Sequence, residues 1–303
     1  MMLDRQAIPA GSRATSSWTQ ALKFVLLALG LLTLSACAGR QVMVPPLTEQ
    51  PTGVQYAGKV VWVDLFTDDL EQARGFYQDV FGWEFVQTEP DSVSVNTVLL
   101  NGVPIGNAIQ LTKDQAEFRR AQWLSYFSTA DVDQTVARAT ARDATVDVAA
   151  KPMPNRGRVS ALRDPQGAGF AIVASDRGDP VDQGPSSGDW LGSELWTWER
   201  DAAVAFYQDL FDYGLDTVSM PQGEPYYLLV SDDVPRAGVV TLPKIGVNPA
   251  WVPYVLVDDA TASVGRAEAA GGRILRPLGE PGGAGQGAII ADPTGAVFGI
   301  QQP

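Results

Sequence analysis

Histidine is absent from the 303-residue chain, and cysteine occurs once, at Cys37. The first absence removes imidazole, the usual acid–base group near neutral pH and a common metal ligand. Ser-His-Asp catalysis is thereby excluded. The second excludes any disulfide within the chain. Basic residues are also scarce, with 22 Lys and Arg against 35 Asp and Glu and a formal net charge of −13. No basic stripe is available to displace counterions from phosphates, so nucleic acid is not an expected partner. The apolar run FVLLALGLLTL, Phe24 to Leu34, is too short for a comfortable membrane span.

What is present reads as globular, with 45% hydrophobic and 19% charged residues. The length suits two domains of ordinary size, each able to bury its own core. Ahead of them, Arg5, Arg13 and Lys23 precede the apolar run, which ends in LSAC, Leu34 to Cys37. This arrangement resembles the lipobox of bacterial lipoproteins. The resemblance implies a signal peptide over residues 1–36, lipid on Cys37 and a protein tethered to the membrane of the bacterial cell envelope. The globular part would face the periplasm, and Ala38 behind the cysteine implies sorting to the outer membrane. An uncleaved anchor helix is the alternative, and it leaves the globular part outside the cytoplasm too. Residues 37–56, with the stretch VPPLTEQPTG, have a linker's composition and are expected to be a flexible or partly extended tether.

FYQDVFGW begins at Phe76, and FYQDLFDYG begins at Phe206. The echo extends well beyond these phrases. Trp123-x-x-Tyr126 is matched by Trp251-x-x-Tyr254, and Asp164-Pro165-x-Gly167 by Asp292-Pro293-x-Gly295, both at an offset of 128. Each copy opens with an apolar strand, KVVWVDLFT or SELWTWE, followed by a segment of helical periodicity and then further strand-like runs. Asp69 is placed to cap the first helix and Gly82 to end it. The chain is therefore a duplication, with domains over 57–176 and 187–303 and a Gly/Pro/Ser/Asp-rich linker over 177–186.

WVDLFTDDLEQARGFYQDVFGW, with the closing RDPQGAGFAIV and ADPTGAVFGI, resembles the vicinal oxygen chelate superfamily. Its members include glyoxalase I, the bleomycin-resistance proteins and the extradiol dioxygenases. The resemblance covers both domains and implies an α+β fold, two tandem domains of paired βαβββ modules whose sheets curl around a cavity. It also implies a divalent metal held by His and Glu, and here the sequence departs from the family. The corresponding positions carry Trp62, Leu124 and Ala171 in the first copy and Gly192, Val252 and Gly299 in the second. None offers a side-chain metal donor, so no cofactor is expected, although a divalent metal on other oxygen ligands stays open.

Side chains two apart on a strand share a face. If Trp62 faces the cavity, so do Asp64 and Phe66; the same register turns Glu194 and Trp196 inward, and Tyr126 and Tyr254 join them. Each domain then offers a carboxylate, a tyrosine and further aromatic surface, a set that suits a small polar or cationic aromatic ligand. The alternative for Asp64 and Glu194 is a structural role within the sheet, and for the aromatics plain core. Phe76, Tyr77, Phe206 and Tyr207 are expected to be packing residues. GEPGGAGQG, Gly279 to Gly287, lacks the Lys-Ser/Thr of a phosphate loop and reads as a hairpin connection. Three functions remain in view. The first is metal-free small-molecule binding, and the second a lyase, isomerase or dioxygenase relative using Asp64 or Glu194. The third is an envelope scaffold with protein partners.

Overall fold

The computed structural model describes residues 44–88, 95–116, 120–220, 225–242, 247–278 and 286–303. The lipobox, Cys37 and nearly all of the Gly279–Gly287 connection lie outside the described residues. In the first half, β1 (Val60–Thr67) leads into α1 (Leu70–Phe81), then β2 (Glu84–Gln87), β3 (Val95–Leu100) and β4 (Val103–Gln110). A short α2 (Lys113–Ala116) precedes β5 (Gln122–Ser128), α3 (Val132–Thr140), β6 (Thr145–Met153), β7 (Gly157–Arg163) and β8 (Gly169–Ala174). The second half repeats the plan as β9 (Trp190–Thr197), α4 (Arg200–Phe211), β10 (Gly214–Val218), β11 (Tyr226–Ser231) and β12 (Val234–Thr241). It continues through β13 (Ala250–Leu256), α5 (Ala260–Ala269), β14 (Arg273–Arg276), β15 (Gln286–Ala291) and β16 (Val297–Gln302).

Each half is one eight-stranded sheet, ordered β2-β3-β4-β1-β5-β8-β7-β6 and β10-β11-β12-β9-β13-β16-β15-β14. The two βαβββ modules of a half join through an antiparallel centre, β1 on β5 and β9 on β13. The sheets are curled and not closed into barrels. The helix boundaries follow local chemistry. Asp69 accepts a hydrogen bond from the Gln72 amide at the start of α1. Gly82, at φ 73°, ends it in the left-handed region that glycine enters without strain.

Each half buries a cluster of its own, large in the first and small in the second, but the two main clusters are shared between the halves. One cluster joins Val63, Leu65, Phe76, Tyr77 and Trp83 of the first half to Val255, Ala267, Ile290 and Phe298 of the second. The other joins Phe127, Leu162 and Phe170 to Leu195, Phe206, Tyr207 and Trp251. Each helix-bearing face packs against the opposite half.

Residues 44–56 lack regular secondary structure, as their composition predicts, but they are docked. The Tyr56 amide donates to Asp179 Oδ2 at 2.6 Å, and Pro51 bridges to Pro180. Val44 and Leu47 are buried against the first sheet's concave face. Proline and buried apolar side chains make an extended segment inexpensive to dock, since little backbone freedom remains to be lost.

Candidate functional site

Strand alternation brings together the residues that the sequence pointed to. In the first half Trp62, Phe66, Leu124, Tyr126 and Ala171 share one cluster on the concave face. Asp64 lies among them at 4% exposure. Its Oδ1 accepts from Trp62 Nε1 and from Asn107 Nδ2, each at 2.9 Å, and its Oδ2 accepts from the Tyr126 hydroxyl at 2.7 Å. The second half builds the same arrangement around Glu194, also 4% exposed. Glu194 Oε2 accepts from Trp196 Nε1 at 2.8 Å and from the Tyr254 hydroxyl at 2.6 Å. Its Oε1 accepts from the Tyr226 hydroxyl at 2.9 Å.

Each carboxylate is thus met by three neutral donors. A carboxylate accepts about four hydrogen bonds, so each keeps room for one more, at Asp64 Oδ2 and Glu194 Oε1. Burial raises the phenols of Tyr126, Tyr226 and Tyr254 above their ordinary range, and the adjacent carboxylate charge adds to the effect. These tyrosines remain protonated donors through neutral pH.

Cationic side chains complete both faces. Arg156 is 2% exposed and lies over the Trp62 ring, 3.8 Å from its centroid. Burial pushes its guanidinium down to about 10, against the opposing influence of Asp64 and Tyr126. In the second half the charge of Arg276 acts on Tyr226 and Tyr254.

The halves differ in what lies above the carboxylate. In the first, Trp62, Phe66 and Tyr126 are fully buried, partly beneath Val44 and Leu47. In the second, Trp196 and Tyr226 are only half-buried. No other segment occupies the corresponding apolar cluster of Val252, Tyr254 and Ile289 among the described residues.

Asn107, Arg156, Tyr226 and Arg276 were not found from sequence. Asn107 had a usable signal, as a polar residue inside an apolar strand; it stands beside Asp64 in the β1–β4 register. At the equivalent place beside Glu194 the second half has Gly238, and the Tyr226 hydroxyl fills the space that a Cβ there would take. No sequence pattern announces that exchange.

The family's metal does not fit these residues. Tyr126 stands beside Ala171, and the Tyr254 ring lies over Gly299, where any Cβ would collide with it. Trp62 and Leu124 supply no donor atom suited to a metal. Among the described residues no three His, Cys, Asp or Glu side chains converge.

Paired βαβββ modules in a curled sheet, repeated in tandem, define a class of protein. Residues 59–172 match the Glyoxalase/Bleomycin resistance protein/Dioxygenase superfamily. These residues form a domain of that superfamily, and the second half of the chain repeats the same strand order. The chain is 29% identical over 244 residues to "Putative glyoxylase CFP32" of Mycobacterium tuberculosis, covering 80% of this chain and 94% of that one. It is 29% identical over 264 residues to the anthracycline biosynthesis protein DnrV of Streptomyces peucetius, covering 80% and 92%. The Mn(II)-bound glyoxalase from Novosphingobium aromaticivorans shares the fold with a TM-score of 0.58 at 17% identity, covering 82% of this chain and 83% of that one. The 2,3-dioxygenase LapB from Pseudomonas sp. KL28 does so at 0.56 and 14%, covering 84% and 94%.

Proposed function

We propose that the protein is a membrane-tethered, extracytoplasmic small-molecule-binding protein of the glyoxalase/bleomycin-resistance type, working without the usual metal, and that its ligand site is the concave face of the second half. The observation carrying this reading is the Glu194 cluster, a buried carboxylate with one unused acceptor position beside half-buried Trp196 and Tyr226. A planar aromatic ligand would stack on the indole and phenol rings and donate one hydrogen bond to Glu194 Oε1. The name of DnrV supports a polycyclic aromatic ligand class.

The test is a thermal-shift titration with an anthracycline such as daunorubicin. Stabilisation is expected in the native protein and in Asp64→Asn, and its loss in Glu194→Gln. The reverse pattern would move the site to the first half, and no shift in any variant would remove the reading for this ligand class. Lipidation at Cys37 is tested separately by palmitate labelling, which Cys37→Ser should abolish while moving the protein out of the membrane fraction.

The enzymatic alternative, with Asp64 or Glu194 as general base or as a recruiter of metal, is supported by the name of CFP32. Elemental mass spectrometry after purification without chelators or histidine tags decides part of it. We expect no stoichiometric Mn, Fe, Ni or Zn; near-stoichiometric metal would put the enzyme ahead. A scaffold role would instead show as binding of envelope proteins with no response to small molecules.

A further inference from the structure

The occupied face of the first half carries information about what else it could hold. The Val44–Leu47 segment places two apolar side chains in the cluster of Trp62, Phe66, Leu124 and Tyr126. It also presents two backbone carbonyls. Val44 O accepts from Asn155 Nδ2 at 3.0 Å, and Pro45 O accepts from Arg156 Nε at 2.6 Å. The segment therefore marks where apolar groups sit and where acceptor oxygens bind.

One donor in this arrangement is unused. Arg156 Nη2 is buried and has no hydrogen-bond partner. Nε and Nη2 form a single edge of the guanidinium, spaced to grip both oxygens of one carboxylate. A peptide carbonyl supplies one oxygen and satisfies half of that edge. A buried donor left unpaired costs stability, and more so when it is charged. Lys151 adds a second unpartnered cationic donor, its Nζ also buried. It pairs across the sheet with Val159, which belongs to the same concave cluster, so the two side chains share a face. The opposing charge is Asp64, already engaged by Trp62, Asn107 and Tyr126. Two cations against one anion, in an apolar setting, favour an anionic ligand with an apolar body.

We propose that the first half is a second binding site, specific for a small apolar carboxylate, which the Val44–Leu47 segment occupies as a built-in competitor. The acid would replace Pro45 O on Arg156 Nε, take Nη2 as well, and put its apolar body where Val44 and Leu47 now sit. The segment must leave for the acid to enter. Apparent affinity in the native chain is therefore reduced by the fraction of molecules in which it has left.

Phenylacetate is a suitable probe, titrated calorimetrically into the full chain. Phenylacetamide and 2-phenylethanol serve as uncharged controls of similar size. Weak binding is expected in the native protein. The double variant Val44→Ser/Leu47→Ser, which loosens the segment, should bind phenylacetate at least about tenfold more tightly. In that background Arg156→Lys should weaken phenylacetate about tenfold, toward the level of the amide, because lysine cannot reproduce the two-point grip. Glu194→Gln should leave all of these values unchanged, so this site stands or falls independently of the one in the second half. The proposal is overturned if loosening the segment brings no gain, or if acid and amide bind alike. Should Arg156→Lys fail to fold, the acid–amide comparison in the loosened chain decides alone.

Discussion

Asp64 and Glu194 sit at matching strand positions and are held alike, but by different residues. A tryptophan two residues away and a tyrosine on the next strand recur in both halves, with the tryptophan before Asp64 and after Glu194. The third donor is the Asn107 amide in one half and the Tyr226 hydroxyl, reaching over Gly238, in the other. Gly238→Ala should therefore expel the Tyr226 hydroxyl and leave Glu194 short of a donor. The expected loss is about 1–3 kcal/mol, read by urea titration, together with weakened ligand binding in the second half. The equivalent crowding is absent at Asn107, where a side chain is already accommodated.

Residue chemistry also sets a pH dependence. Burial raises the carboxyls of Asp164 and Asp292 above the usual aspartate value of 3.8. A carboxyl whose folded pKa is raised binds its proton more readily in the native state. Its contribution is full below the unfolded value and is lost as pH climbs through the raised one. Asp292→Asn should thus flatten the fall in stability as pH rises above the usual aspartate value, measured as the slope of unfolding free energy against pH. An unchanged slope would mean that Asp292 titrates as an ordinary aspartate.

At the scale of elements, the helix ends show how a duplicated phrase can diverge and still fold. FGW ends α1 with Gly82 at φ 73°, whereas FDY ends α4 with Asp212 at φ 57°. Both occupy the left-handed region, which aspartate tolerates better than most side chains and alanine does not. Gly82→Ala should cost about 1 kcal/mol in urea unfolding, while Gly82→Asp should cost less. The Arg138–Asp212 pair at 3.2 Å is too exposed to change this balance.

In the whole molecule, the two signatures of the repeat interlock across the halves. The Tyr77 hydroxyl accepts from Trp123 Nε1 at 2.8 Å and donates to Asp292 Oδ2 at 3.0 Å. Tyr207 does the same between Trp251 at 2.9 Å and Asp164 at 3.1 Å. Asp292 Oδ1 meanwhile gathers the Thr294, Gly295 and Ala296 amides, so one aspartate closes its own turn and receives the other half's tyrosine. The Ser125 and Ser193 hydroxyls also meet across the halves, at 2.9 Å. Because both main clusters are built from both halves, urea unfolding should follow one transition, with Tyr77→Phe and Tyr207→Phe each lowering the same midpoint. Residues 44–176 expressed alone should lack a near-ultraviolet circular dichroism signal, and a cooperatively folded fragment would refute the shared core.

Much of this protein was written locally. Strand and helix periodicity, the caps at Asp69 and Gly82 and the offset of 128 between Trp123 and Trp251 are properties of neighbouring or repeated residues. They determine the elements, the duplication and the face on which Asp64 and Glu194 lie, because a strand's alternation is geometric. The absence of histidine excludes imidazole from any site, and composition alone says so. Tertiary structure decided the rest. Tyr77 and Asp292 are 215 residues apart, and nothing in either motif says that each helix packs on the opposite half. The seating of Val44 and Leu47 on Trp62 is likewise a meeting of segments without local signature, as is the use of Tyr226 where Gly238 leaves room. Contacts between residues distant in sequence depend on how the elements assemble, and on assembly this chain exchanged partners between its two copies.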